Sequence, residues 1–195
     1  MVFLDSNRGL DYRVDHFVKL GNPAWYDLLS AARPLVMSRP TAAAFERVWN
    51  TNFLGRAVIM NRQSGEHLDV NGVPRGWDVI IAGGEYTGGG FHFRDMNLRT
   101  PFPPGTLVAF DGTAQRHAVE EFHGRQRISH VYFAHQSVFE ELGLDTTLPD
   151  LMLEDLRERV GGRPRGGKSS QLVRLGKRKR KGGNAGRRFR ERPSA

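Results

Sequence analysis

The sequence predicts an α+β domain: an antiparallel β barrel or sandwich flanked by helices and followed by a disordered basic tail. Three observations predict it. From about Phe53 to His135, short β-prone runs ("FLGRAVIM", "GWDVIIAGG", "GGFHFRD", "GTLVAFDG" and "QRISHVYFAH") are separated by Gly, Pro and Asp turn signals, the pattern of an antiparallel core. Before and after this region the apolar spacing becomes helix-like. The charge is also segregated. The chain carries +8 overall, but residues 161–195 hold thirteen Lys/Arg and one acid, against sixteen Lys/Arg and twenty Asp/Glu in residues 1–160.

In chain order, residues about 23–50 read as helix. Pro23 suits a first turn, and "AWYDLLSAA" and "AAAFERVW" keep helical spacing. Pro34 and Pro40 are expected to break the stretch between them. The β core follows over about 53–135. In "LPDLMLEDLRERV", Leu151, Leu153, Leu156 and Val160 can share the apolar face of a closing helix. The domain is therefore expected over 1–160. The tail, 161–195, has too few large apolar groups to offset chain entropy. Its "KRKRK" cluster, Lys177 to Lys181, is of the nuclear-localisation or nucleic-acid type, so a nuclear protein whose tail meets a nucleic-acid backbone is expected. With no cysteine there is no disulfide, thiolate zinc site or thiol nucleophile. No apolar run approaches the ~18 residues of a membrane span, and no signal peptide is visible, so no membrane partner is expected. The expected state is a monomer.

Two stretches carry chemistry. In "GEHLDVNG", His67 and Asp69 sit two residues apart, and His117 follows 48 residues after the Asp. The plain alternative is a surface turn, since His, Asp, Asn and Gly are all turn-friendly. In an extended segment, however, side chains i and i+2 leave the same face and can converge on one ion. Two His and one carboxylate are the donor set of non-haem Fe(II) oxygenases. The second stretch is "HAVEEFHGRQRISHVYFAH". If it is a strand, Arg127, Ser129, Val131, Phe133 and His135 face one way. The plain alternative is an amphipathic strand with a wet polar face. A guanidinium, a hydroxyl, an aromatic ring and an imidazole on one face instead suit a lined pocket. In it Arg127 would grip the far carboxylate of 2-oxoglutarate bidentately.

The ordered set HxD, "GWDVIIAGGEYTGG", "PPGTLVAF", His117 and then R-x-S-x-x-x-F-x-H resembles the 2-oxoglutarate/Fe(II) oxygenase domain of the TET/J-binding-protein family, especially its compact fungal members. The resemblance covers about 60–135. It implies a double-stranded β-helix, an antiparallel jelly roll. It implies Fe(II), 2-oxoglutarate and O2, and oxidation of the methyl group of a flipped-out 5-methylcytosine in DNA. By the same resemblance His67, Asp69 and His117 match the iron ligands. Arg127 and Ser129, with Arg62 as a second basic residue, match the 2-oxoglutarate contacts. Phe133 matches a ring that stacks on the base, and His135 a histidine that hydrogen-bonds it. A further base contact falls on Asn50 or Asn52. Leu68 stands where many relatives carry a basic residue, and Asn71 is the candidate for an expected acidic base contact. The cysteine-rich zinc region of the animal enzymes is absent. The alternatives are the same chemistry on thymine, RNA or protein, and an inactive fold that binds DNA or chromatin.

Overall fold

The computed structural model describes residues 2–159. The basic segment expected to be disordered, and the domain limit at 160, lie outside them. Three helices come first: α1 (Val2–Ser6), α2 (Arg8–Gly21) and α3 (Pro23–Met37). Only the third is among the sequence expectations. The second escapes the reading because "RGLDYRVDHFVKLG" looks largely polar; its buried residues are Asp11, Val14 and Val18. Asn22 joins the two helices, accepting the Trp25 N–H at 3.2 Å and donating to the Arg75 carbonyl at 2.9 Å. Pro34 does not break α3, contrary to expectation. The helix runs on to Met37, and the Ser38 N–H closes on the Pro34 carbonyl at 3.0 Å. A proline removes one intrahelical hydrogen bond. Burial of Leu29, Ala32 and Met37 outweighs that loss near the end of the helix.

Seven strands follow: β1 (Gly55–Met60), β2 (Asp78–Gly88), β3 (Phe91–Phe93), β4 (Leu98–Thr100), β5 (Leu107–Phe110), β6 (His117–Val119) and β7 (Phe122–Phe133). They form two antiparallel sheets, ordered β1-β7-β2-β5 and β4-β3-β6. An isolated bridge between His67 and His117 continues the smaller sheet past β6. This is the double-stranded β-helix expected. β4 and β6 are too short to announce themselves by alternation.

The pairing register sorts the large sheet into two faces, because directly opposed residues share a face. Val79 opposite Tyr132 and Ile81 opposite His130 look outward. There they meet α2 and α3 in a core of Val14, Val18, Trp25, Leu29 and Phe53. Ile80 opposite Val131, and Ala82 opposite Ser129, look inward. The inner core of Ala82, Phe91, Phe93, Phe102 and Phe110 lies between the sheets. Two short helices close the described chain, α4 (Gln136–Glu141) and α5 (Leu153–Arg159). Of the expected apolar face of the closing helix, Leu151 and Leu156 are half-buried and Leu153 is exposed; Leu148, before the helix, is buried. Val160 lies outside the described residues.

A charged lock ties α2 to the sheet. Arg56 Nη1 donates to Asp11 Oδ1 at 2.7 Å, and the Tyr132 hydroxyl donates to the same oxygen at 2.8 Å, all fully buried. One turn further along α2, Asp15 accepts from Thr51 Oγ1 at 2.7 Å and from the Asn52 N–H at 2.9 Å. Burial, partly offset by these bonds, pushes its carboxyl up to about 6. A folded-state value above the unfolded one means that the fold holds the proton more tightly. That stabilisation is full below about pH 4 and is lost as pH rises through about 6. Asp15→Asn keeps an acceptor oxygen and removes the titration. Its melting temperature should change less than the parent's between about pH 4.5 and about pH 7, by the equivalent of about 2 kcal/mol. Parallel profiles for the two proteins would refute this.

Candidate active site

The site grows from the bridge between the HxD loop and β6. His67 and His117 exchange backbone hydrogen bonds at 3.0 Å each, and the Asp69 N–H donates to the Gly112 carbonyl at 2.8 Å. These bonds set the three side chains side by side. Each imidazole is oriented in the same way. His67 Nδ1 sits 2.8 Å from the Gly65 carbonyl, and His117 Nδ1 sits 3.0 Å from the Gln115 carbonyl. A carbonyl is acceptor-only, so Nδ1 is the donor in both rings and Nε2 is the nitrogen left to ligate in the neutral tautomer. The Nε2 atoms face Asp69, at 3.6 Å from Oδ1 for His67 and 3.5 Å from Oδ2 for His117. One ligand atom from each residue lies within 4.8 Å of the others. His117 is buried, stacked on Phe91 at 5.6 Å and meeting Phe110 edge-on at 4.5 Å. Its burial lowers its pKa, holding the ring in the neutral form that ligates metals. His67 and Asp69 stay partly exposed. Two imidazole nitrogens with backbone-fixed tautomers and one carboxylate fit a non-haem Fe(II) ion.

Arg127 lies on the inner face of β7, opposite Gly84. Its N–H donates to Asn61 Oδ1 at 2.7 Å, and Nη1 donates to Ser129 Oγ at 2.9 Å. The guanidinium is buried among the rings of Tyr86, Phe102 and Phe122, 5.4 to 5.7 Å from their centroids. Nε and Nη2 have no hydrogen-bond partner. A buried cation with two idle donors fits a carboxylate ligand. Gly84 makes room for this strand pairing. At φ 104° a Cβ there would lie 2.2 Å from the Gln126 carbonyl oxygen. Arg62 is not brought into this group. The chain turns out of the sheet at Asn61, φ 50°, and Arg62 is exposed.

Phe133 ends β7 opposite Gly55, and its ring covers that glycine so closely that a Cβ there would lie 2.6 Å from it. The His135 ring is 5.2 Å from the Phe133 ring. His135 bridges to Gly72, and the Gln136 N–H donates to the Asn71 carbonyl, so the HxD loop is fastened to the end of β7. Phe133, His135, Asp69 and Asn71 line one cleft of about 290 Å³. Asn50 and Asn52 line a different cleft, with Asp15, Lys19 and Arg33.

One residue of the first cleft is missed by the sequence expectations: Asp78. It opens β2 opposite Phe110, on the inward face shared with Ile80 and Ala82. Burial first, then the charges of Asp69 and Asp111 and a hydrogen bond with Asp69, push its carboxyl up to about 8. The signal available in the sequence is an acid heading an apolar strand, "DVIIA", in phase with the inner face.

Residues 23–136 match the Tet_JBP model, described as the oxygenase domain of the 2OGFeDO superfamily. Among solved structures, NgTET1 in complex with 5mC DNA is similar over 70% of this chain and 52% of that one, with 18% identity and a TM-score of 0.54. The chain thus spans about half the length of that structure, and at this identity the likeness speaks for the fold. An oxidoreductase of the 2OG-Fe(II) oxygenase family from Burkholderia pseudomallei is 21% identical over 50% of this chain and 53% of that one, with a TM-score of 0.32. No curated protein matches the sequence.

Proposed function

The chain belongs to the Tet_JBP oxygenase family of the 2OGFeDO superfamily, and on that footing we propose that it oxidises the methyl group of 5-methylcytosine in DNA. Fe(II), 2-oxoglutarate and O2 are the groups that superfamily implies. His67, Asp69 and His117 would hold the iron, and Arg127 with Ser129 the 2-oxoglutarate. The chemistry these groups supply when bound is insertion of one oxygen atom into a C–H bond, with 2-oxoglutarate going to succinate and CO2.

What the chain's own residues do is position. The backbone carbonyls of Gly65 and Gln115 hold the two imidazoles with Nε2 forward. Asn61 and Ser129 fix Arg127, and the rings around it keep water from its charge. The observation that carries the substrate reading is the pairing of Phe133 with His135 on the wall of the cleft beside Asp69. A partly exposed ring next to an imidazole suits a planar base that has left its stack. The basic segment 161–195 supports a role on nucleic acid, as salt-sensitive attraction to the phosphate backbone, and supports a nuclear location. The structure NgTET1, to which the fold is similar, was solved with 5mC DNA.

The test is mass spectrometry of nucleosides after incubation with methylated DNA, iron and 2-oxoglutarate. Base stacking contributes about 1–3 kcal/mol. Phe133→Ala should therefore lower formation of 5-hydroxymethylcytosine by about ten- to a hundredfold, and His135→Ala should lower it strongly. Both should leave the DNA-independent decay of 2-oxoglutarate largely intact. A parent protein that makes no 5-hydroxymethylcytosine would end this reading, and only the general oxygenase assignment would stand.

A further inference from the structure

We propose that the groove between α2 and α3 holds an unpaired nucleotide that flanks the target base on the same DNA strand, an inference that rests on the DNA substrate proposed above. The groove has a volume of about 450 Å³, within the range of small-ligand sites. α2 lends it Tyr12, Asp15 and Lys19, on a helix face turned away from the buried Val14 and Val18. α3 lends it Tyr26 and Arg33, two turns apart on one face, and the loop before β1 adds Asn50 and Asn52. Tyr12 is 57% exposed, and the Lys19 ammonium stands 5.4 Å from the centre of the Tyr26 ring. The catalytic cleft uses none of these groups, although Asn50 or Asn52 is where the sequence leads one to expect a base contact.

The lining has the chemistry of a nucleotide site. Two accessible phenol rings offer stacking platforms, and stacking accepts any base. Two cations stand beside them. Arg33 gives Nε and Nη2 to the carbonyls of Thr51 and Trp49, at 3.1 and 2.6 Å, and these neutral partners leave its charge uncancelled. Asp15 is the one acid lining the groove, and its oxygens are taken up by the Thr51 hydroxyl and the Asn52 N–H. Lys19 and Arg33 thus face one carboxylate, with His16 able to add to them, on a domain whose residues 1–160 carry more acids than bases. A merely solvated helix face carries charge alone. Here rings, amides and cations close on one volume, the combination that single-strand sites share. Position gives the strand its course. Asn52 lies three residues before Gly55, the residue that the Phe133 ring covers. The walls of groove and catalytic cleft are therefore no more than about 11 Å apart along the chain, a span of about three nucleotides at about 3.4 Å of rise each. A base flipped onto Phe133 leaves its neighbours on the strand partly unstacked, and the groove receives one of them.

The experiment reads affinity rather than turnover. The full chain, with Fe(II) and 2-oxoglutarate but without O2, is titrated by fluorescence anisotropy against two end-labelled single-stranded oligonucleotides. Both carry one 5-methylcytosine; the short one has a single nucleotide on each side of it, and the long one about ten. The parent should bind the long one more tightly. Tyr12→Ala should weaken binding of the long oligonucleotide by about ten- to a hundredfold, and of the short one by less than about twofold. Tyr12→Phe keeps the ring and should bind both as the parent does. Lys19→Gln should flatten the slope of log affinity against log salt for the long oligonucleotide by about 0.7, the equivalent of one single-strand phosphate contact, and Lys19→Arg should keep the slope. Segment 161–195 is present in every protein compared, so its attraction cancels. A parent that binds both lengths equally, a Tyr12→Ala variant with parental affinity, or one that loses the same factor on both lengths overturns the proposal. Binding that depends on length and on Tyr12, in a protein that makes no 5-hydroxymethylcytosine, supports the groove and ends the base-oxidase reading alone.

Discussion

Asp69→Ala is expected to lower 2-oxoglutarate-dependent succinate release by more than ~100-fold and to weaken Fe(II) binding at least as much. Residues that merely orient ligands typically cost 10–100-fold in affinity or activity when replaced. Asp69 is the single anionic donor of the three, and both Nε2 atoms face its oxygens at 3.5 and 3.6 Å. Loss of the side chain should not unfold the loop, because the bonds from the Asp69 N–H to the Gly112 carbonyl and from the Gly72 N–H to the Asp69 carbonyl belong to the backbone. The nearest carboxyl that could take its place is Asp78. Residual activity in the single variant that vanishes in Asp69→Ala/Asp78→Asn would show such a replacement. Parental succinate release and parental metal affinity in Asp69→Ala would show the assignment to be wrong. His92→Ala and His123→Ala lie outside the triad and should tolerate the same assay.

Arg127→Lys is expected to raise the apparent KM for 2-oxoglutarate by about ten- to a hundredfold, the equivalent of one charge-assisted hydrogen bond at about 1.5–3 kcal/mol. Lysine keeps the positive charge but loses the planar fork. In the parent, Nε and Nη2 are buried and idle among three aromatic rings. A dianionic ligand that fills them should also stabilise the fold. At about a hundred times Kd the gain is about 2.7 kcal/mol, readable as a rise in Tm. The rise should be large in the parent and small in Arg127→Lys. An unchanged KM together with an unchanged thermal response would remove Arg127 from the co-substrate site.

The large sheet was legible because its strands are β-prone, apolar runs punctuated by Gly, Pro and Asp. β2 and β7 run for 11 and 12 residues, and β7 alternates in burial over its second half. β4 and β6 have three residues each, too few for a period of two to show. α2 stayed hidden for a different reason. It buries an acid, Asp11, against an arginine and a tyrosine that lie 45 and 121 residues away. No local pattern reports a partner at that distance. The His67, Asp69 and His117 cluster was legible because His67 and Asp69 share an extended segment. Arg127 could be read from its phase with Ser129 and Phe133 on one strand. Asp78 could not, since its meaning comes from Gly112 and Asp69, which meet it only in the folded chain. Pro34 shows the converse error: a local rule was overruled by the burial of the helix around it.

The Arg56–Asp11 pair also bears on where the folding unit ends. The family match begins at residue 23, but the carboxylate that neutralises Arg56 sits twelve residues earlier, on α2. In a chain trimmed to the matched region, the guanidinium on β1 would keep its buried place beneath Trp49 and Tyr132 and lose its counter-ion. Removing one member of a buried pair costs about 3–5 kcal/mol. A domain of this kind has about 5–15 kcal/mol in all. The homologous region and the autonomous region are therefore different lengths of the same chain, and the surplus at the amino end is an electrostatic requirement of the catalytic sheet.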